Sequence, residues 1–360
     1  MFTPEEFEAL LNQAEAGDAE AQFKVGREYD EGLCVEKDAL KAFEWYLKAA
    51  KQGHASAQCN VGYIYDLGKV VKQDFEKAIY WYEKAIIQGN KYAQCNLGCM
   101  YQSGEGVEIN YQKAFELYLQ SAEQGLAKSQ RMVGYFYEES LYVKQNYKLA
   151  AKWYAQACLS EDDMLANFNL ALLYEAGKGV KQDKKSALQM IKKSASVGIS
   201  EAQFYLGQLY EKGNSLPQNY KKALAWTKKA TSQDLPEAYH QLGYYYSHGL
   251  GVEENDVKAF EMVKKAAELG FDESQLWLAE TYYNGASYLL PNMQQAAYWY
   301  EKAAEQGNET AQLAIASCYE KGLGVEADAE KAQQWKAKAL AQGFEPPTEN
   351  ATGGVDNVHP

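Results

Sequence analysis

Groups able to bind a metal or attack a substrate are sparse in this chain. Four histidines (His54, His240, His248, His359) are scattered over 360 residues, none in an H-E-x-x-H pattern. There is no phosphate-binding loop, nucleophile elbow, S-x-x-K pair or recurring pair of carboxylates, so hydrolytic and phosphoryl-transfer chemistry find no matching residues. The expected reading is not an enzyme, with no cofactor and no metal. Six cysteines (Cys34, Cys59, Cys95, Cys99, Cys158, Cys318) follow no regular spacing and read as reduced, small apolar side chains. Basic residues are outnumbered, 36 Lys and Arg against 49 Asp and Glu, for a formal charge of −13. That balance argues against nucleic acid and anionic membranes, which attract Lys and Arg clusters, and favours a basic partner. Nowhere are there the ~18 uninterrupted apolar residues of a membrane span. The first residues carry neither a basic segment nor an apolar run of signal-peptide length, so the expected location is cytoplasmic.

What the chain has in abundance is self-similarity. A small residue, then Leu, Val or Ile four later, Gly or Ala next and Tyr three beyond recurs from Ala21, Ala57, Ala93, Ser129, Ala166, Ala202, Ala238, Ser274 and Ala311. The step is 36 residues, with two steps of 37. A period in this range without β-like alternation predicts a solenoid of stacked helical hairpins. The named positions fall at i, i+4, i+5 and i+8, one face of a first helix, helix A. Gly inside a helix costs about 1 kcal/mol relative to Ala, which predicts close approach of the partner helix there. The tyrosines Tyr29, Tyr65, Tyr101, Tyr137, Tyr174, Tyr210, Tyr246, Tyr282 and Tyr319 are expected to add bulk beside that contact.

After a Gly-rich turn comes Asp or Asn in all nine units: Asp38, Asp74, Asn110, Asn146, Asp183, Asn219, Asn255, Asn292 and Asp328. These are expected N-caps, each worth about 1 kcal/mol. The second helix, helix B, follows as K-A-x-x-W-x-x-K-A-A-x-x-G, with small Ala on its buried side and a closing Gly.

The joint recurrence of L-G-x-x-Y, G-x-G-V, the Asp/Asn cap and K-A-x-x-W over about residues 19–343 resembles the Sel-one-like repeat, a longer relative of the tetratricopeptide repeat. The resemblance implies a right-handed all-α superhelix and a non-enzymatic adaptor, and the expected oligomeric state is a monomer. Other readings it leaves open are a bacterial virulence factor or translocated effector acting on a host protein, and a β-lactam-binding relative of cysteine-rich repeat proteins. The irregular cysteines here depart from the disulfide-per-repeat pattern of those secreted relatives.

Residues 1–18 begin Thr3-Pro4-Glu5-Glu6, a capping box with Pro at the first helical position, and are expected to form a lone helix covering the first hairpin. Residues 19–343 are expected to be one elongated array without a linker, and 344–360 a polar, Gly-rich disordered tail. Two insertions break the rhythm, at Leu159–Asp163 and around Asn284–Pro291.

If helix A lines the inner surface, as in the related tetratricopeptide architecture, the positions two, six and nine after the small residue face a concave groove. Phe23, Phe168 and Phe204 stand at plus two, with Cys59 and Cys95; Tyr63, Tyr135 and Tyr244 stand at plus six, with Cys99. At plus nine stand the acids Asp30, Asp66, Glu138, Glu175 and Glu211. An acidic stripe beside apolar pockets predicts a protein or extended peptide partner, basic with apolar anchors. Cys59, Cys95 and Cys99 are expected to cluster on one surface, with no His at a matching position to complete a ligand set.

Overall fold

The computed structural model of the chain describes residues 2–160 and 163–342. The expected tail, residues 344–360, and part of the first insertion lie outside the described residues. The packing of Cα atoms divides the chain into two units, Met1–Ile191 and Lys192–Pro360.

The first unit holds α1 (Pro4–Glu15), α2 (Ala19–Glu31), α3 (Ala39–Lys51), α4 (Ala55–Leu67), α5 (Phe75–Ile87), α6 (Lys91–Ser103), α7 (Tyr111–Glu123), α8 (Ala127–Glu139), α9 (Tyr147–Ala157) and α10 (Met164–Ala176). The division falls within α11 (Lys184–Ser196). The second unit continues with α12 (Ser200–Lys212), α13 (Tyr220–Thr231), α14 (Pro236–Ser247), α15 (Asp256–Glu268), α16 (Asp272–Asn284), α17 (Met293–Glu305), α18 (Glu309–Lys321) and α19 (Ala329–Ala341). The fold is an all-α solenoid of helical hairpins. Among the described residues there is no strand, only an isolated bridge between Ala286 and Leu289.

Local chemistry sets the helix boundaries. Thr3 and Glu6 form the reciprocal capping box at the start of α1, which then packs Leu10 and Ala14 against Ala21 and Val25 of α2. Every Asp or Asn of the cap column accepts a bond from the backbone N–H three residues on, at 2.9–3.1 Å. Each cap residue also donates its own N–H to the carbonyl of the preceding column tyrosine, as Asn110 does to Tyr101 at 2.8 Å. That bond closes the A-to-B turn and fixes the direction in which helix B sets off. Gly104 ends α6 in the left-handed conformation at φ 79°. Two residues later Gly106 is left-handed again, and a Cβ there would collide with Phe75 of the preceding hairpin. The turn therefore needs glycine for both its backbone angle and its close approach.

The glycines inside helix A face the partner helix closely, as their cost implied, and the bulk at that contact comes from a tyrosine of helix B rather than from the helix-A tyrosine column. A Cβ added at Gly26 would sit 2.6 Å from the ring of Tyr46, and at Gly134 2.7 Å from Tyr154. Tyr82 covers Gly62 and Tyr118 covers Gly98 in the same way. These four rings belong to helix B and are 0–1% exposed. The tyrosines of helix A lie instead at the turn, half-buried apart from the buried Tyr319, several with a lysine ammonium over the ring, such as Lys113 at 4.9 Å from Tyr101. The reason is geometric: the Gly faces the middle of helix B, whereas a residue three positions on has moved toward the helix end.

A second ladder had not been anticipated. Gln58 Nε2 donates to Ala50 O at 3.2 Å, and its Oε1 accepts from Gln88 Nε2 at 2.8 Å. Gln22 and Gln52, Gln94 and Gln124, Gln203 and Gln233, Gln275 and Gln306, and Gln312 and Gln342 repeat the side-chain bond. Buried amides of this kind are costly unless paired, and here each holds helix A against a helix-B end.

Candidate partner-binding face

The plus-two, plus-six and plus-nine side chains of helix A have surroundings that differ along the chain. In the first unit Tyr63 is 48% exposed and Tyr135 half-buried. Phe23 is half-buried, stacked on His54 with ring centroids 4.4 Å apart. Phe168 is only 6% exposed, and Cys59 and Cys95 are 6% and 2% exposed. The expectation of an open plus-two column is therefore corrected at these three positions. Cys59 shares a core cluster with Ala78 and Tyr82 of its own helix B and Leu97 of the next helix A, and Cys95 with Ala114, Tyr118 and Val133, so plus two joins the core between successive hairpins. In the second unit Phe204 and Tyr244 are half-buried.

The acids are held rather than loose. Tyr46 donates its hydroxyl to Asp30 at 3.3 Å, Tyr82 to Asp66 at 3.1 Å and Tyr154 to Glu138 at 2.7 Å. Tyr118 donates to Gln102, the amide at the same position, at 2.8 Å. The ring that fills the space over the helix-A glycine thus also orients the side chain four residues beyond it. Asp66 and Glu138 titrate above the ordinary carboxylate range because burial disfavours their charge, the tyrosine bond only partly opposing this. In the second unit Glu211 accepts from Tyr245 at 2.8 Å and from Gln241 at 3.1 Å. Glu175 is half-buried.

Two cavities open on this face of the first unit. One of about 360 Å³ is lined by Phe23, Asp30, Tyr46 and Tyr92; the other, about 470 Å³, by Asp30, Tyr46, Tyr63 and Leu67. Asp30 and Tyr46 border both. The second unit has a cavity of about 410 Å³ bounded by Tyr244, Trp277 and Tyr288. Of the predicted residues, Phe23, Asp30 and Tyr63 are thus brought together around adjoining cavities, while Phe168 is withdrawn from the surface.

Cys99 and Cys95 form an interacting pair, as their one-turn spacing suggested. Their interaction lowers the Cys99 thiol below its ordinary pKa and, together with burial, raises that of Cys95. Among the described residues, no group of three or more His, Cys, Asp or Glu is placed to hold a metal ion. The two insertions have definite structures where described. Asp163 caps α10 and takes both carboxylate oxygens to Arg131 Nε, at 3.0 and 2.8 Å. The second insertion makes the bridge between Ala286 and Leu289. No described helix is long and apolar enough to cross a membrane.

The Sel1 repeat profile matches nine successive segments, residues 19–54, 55–90, 91–126, 127–162, 165–198, 200–235, 236–271, 272–308 and 310–344. The chain belongs to the Sel1 repeat family. Among solved structures it is similar to c5321, a protective antigen present in uropathogenic Escherichia coli strains, with 31% identity and TM-score 0.57 over 94% of this chain and 80% of that one. It is also similar to a Sel1 repeat protein from Oxalobacter formigenes, with 30% identity and TM-score 0.56 over 64% of this chain and 99% of that one. Among curated proteins, chitin synthase regulatory factor 3 of Schizosaccharomyces pombe is 36% identical over 78 residues, 21% of this chain. The chain spans only 8% of that relative's length. Sel1 repeat proteins generally mediate protein–protein interaction, and their scaffold is typically non-enzymatic.

Proposed function

We propose that this protein is a non-catalytic adaptor that binds an extended, basic protein segment along the helix-A face. The observation that carries this reading is that helix-B tyrosines hold Asp30, Asp66 and Glu138 at one column of helix A, with Asp30 bordering two open cavities. Ionised acids at Asp66 and Glu138 are penalised by their burial, and a structural role would be met as well by the amide that Gln102 supplies. Retaining acids there is understandable if a cation comes to meet them. Tyr63, with Ile64, Leu67 and Val70, borders a cavity that suits an apolar side chain of the same segment, and Phe23 borders the more polar cavity beside it. The partner is a protein, and the adaptor works in the cytoplasm as a monomer.

The test is surface plasmon resonance with the partner that co-purifies, at two salt concentrations. Reversing Asp66 and Glu138 to Lys should slow association and remove its salt dependence, since accessible charge steers encounter. Phe23→Ala with Tyr63→Ala should instead speed dissociation, because aromatic anchors carry binding energy. Wild-type kinetics in both variants, with loss of binding on changing Tyr80 and Ile87 of α5, would move the functional surface to helix B.

A further inference from the structure

The cavity of the second unit exists because several departures from the repeat meet at one place. Val263 stands over Gly243 where Tyr46, Tyr82, Tyr118 and Tyr154 stand over their glycines, so the volume of a phenol ring is left unfilled. Ser247 replaces the plus-nine acid, and His248 adds an imidazole at the position that is Glu31, Leu67 and Ser103 in the first three repeats, just before the left-handed Gly249. Trp277 of α16 supplies an indole at a position that is Lys24, Asn60 and Asn96 in the first three repeats. The inserted turn then closes one side with Ala286, Ser287 and Tyr288.

The lining has a consistent chemistry. Its walls are the rings of Tyr244, Trp277 and Tyr288 with two imidazoles, those of His240 and His248. His248 lies against Tyr244 with ring centroids 4.2 Å apart. His240 is fixed by a 2.8 Å bond between its Nδ1 and Ser274 Oγ, and burial holds it below the usual imidazole pKa, which keeps it neutral. Asp256, exposed at the first turn of α15, is the carboxylate of the lining, and no Lys or Arg contributes to it. Aromatic faces with one acid and no Lys or Arg suit a positively charged group, held by ring quadrupoles and the carboxylate together.

We propose that this cavity is a pocket for an arginine side chain of the bound protein segment. Its planar guanidinium stacks on rings while pairing with a carboxylate, which an ammonium does less well. The inference rests on the reading of the helix-A face as the partner-binding surface and names one residue of the partner.

The experiment is a ligand-observed NMR titration of the full chain with three blocked tripeptides, Ac-Gly-Arg-Gly-NH2, Ac-Gly-Gln-Gly-NH2 and Ac-Gly-Phe-Gly-NH2. The arginine peptide should bind about tenfold more tightly than the glutamine one, and Asp256→Asn should remove most of that difference. Val263→Tyr restores the residue of the regular repeat and should abolish binding while the thermal melt stays at or above that of the wild type. Equal affinity for Arg and Gln, tighter binding of Phe, or undiminished binding by Asp256→Asn or by folded Val263→Tyr would overturn the proposal. Failure of the tripeptides, with Asp66 and Glu138 still governing association of the co-purified partner, would sink the pocket and leave the binding face standing. The converse result would sink the adaptor face and leave the pocket.

Discussion

The first four hairpins of the first unit and the hairpins of the second solve the same packing problem differently. In α2/α3 through α8/α9 a helix-B tyrosine lies over a helix-A glycine and gives its hydroxyl to the acid or amide four residues on. In α12/α13 the residue over Gly207 is Thr227, too short to reach Glu211 as a tyrosine would. Tyr245 of the following helix A, fully buried, reaches across and donates to Glu211 instead. In α14/α15 the residue is Val263, Ser247 replaces the acid and a cavity remains. The pairing of a helix-A acid with a buried phenol recurs at Asp30, Asp66, Glu138 and Glu211, whereas Glu320 of α18 meets Lys336 of α19 instead.

The largest effect separating the two arrangements should come from enlarging the glycines. Gly134→Leu must displace Tyr154, which is fully buried and tied to Glu138, and should destabilise by about 3 kcal/mol, the upper part of the usual overpacking range. Gly243→Leu meets Val263 beside an open cavity into which the new side chain can turn, and should cost about 1 kcal/mol. Thermal melts of both decide it. Equal losses would mean that the cavity plays no part in accommodating the change.

A smaller effect concerns charge. Glu138→Gln reproduces what Gln102 does naturally, keeping an acceptor for the tyrosine while removing a desolvated charge. The folded-state pKa of Glu138 is raised, so the wild type loses stability as pH rises from its ordinary value of 4.5 through that folded pKa. The variant should be the more stable at pH 7, by less than about 1 kcal/mol because half the carboxylate still meets water. Its advantage should shrink on acidification and vanish below pH 4.5. An advantage independent of pH in denaturant titrations would show that charge is not its cause.

Much of this architecture was legible because it repeats. The 36-residue step, the Asp/Asn caps and the tight glycine contact are periodic features, and each repeat restates the signal. The tyrosine over the glycine was missed although Trp45-Tyr46, Trp81-Tyr82 and Trp153-Tyr154 recur one period or a multiple apart; the tryptophan drew the reading and the residue beside it carried the contact. Gln22, Gln58, Gln94 and Gln130 gave an equally regular trace of the amide ladder. Phe168 illustrates a different limit: a plus-two side chain is buried or open according to what other helices pack around it, which a column in one helix does not specify. The 410 Å³ cavity was beyond such reading, since it arises where Val263, Trp277 and an inserted turn depart together from the pattern.

The account's central claim is that the partner lies along helix A. Hydrogen–deuterium exchange of the full chain, with and without the co-purified partner, tests it most directly. Protection concentrated in peptides from α2, α4, α8 and α14, with α3, α5 and α7 little changed, is the predicted result. Protection confined to α3, α5 and α7 would contradict it.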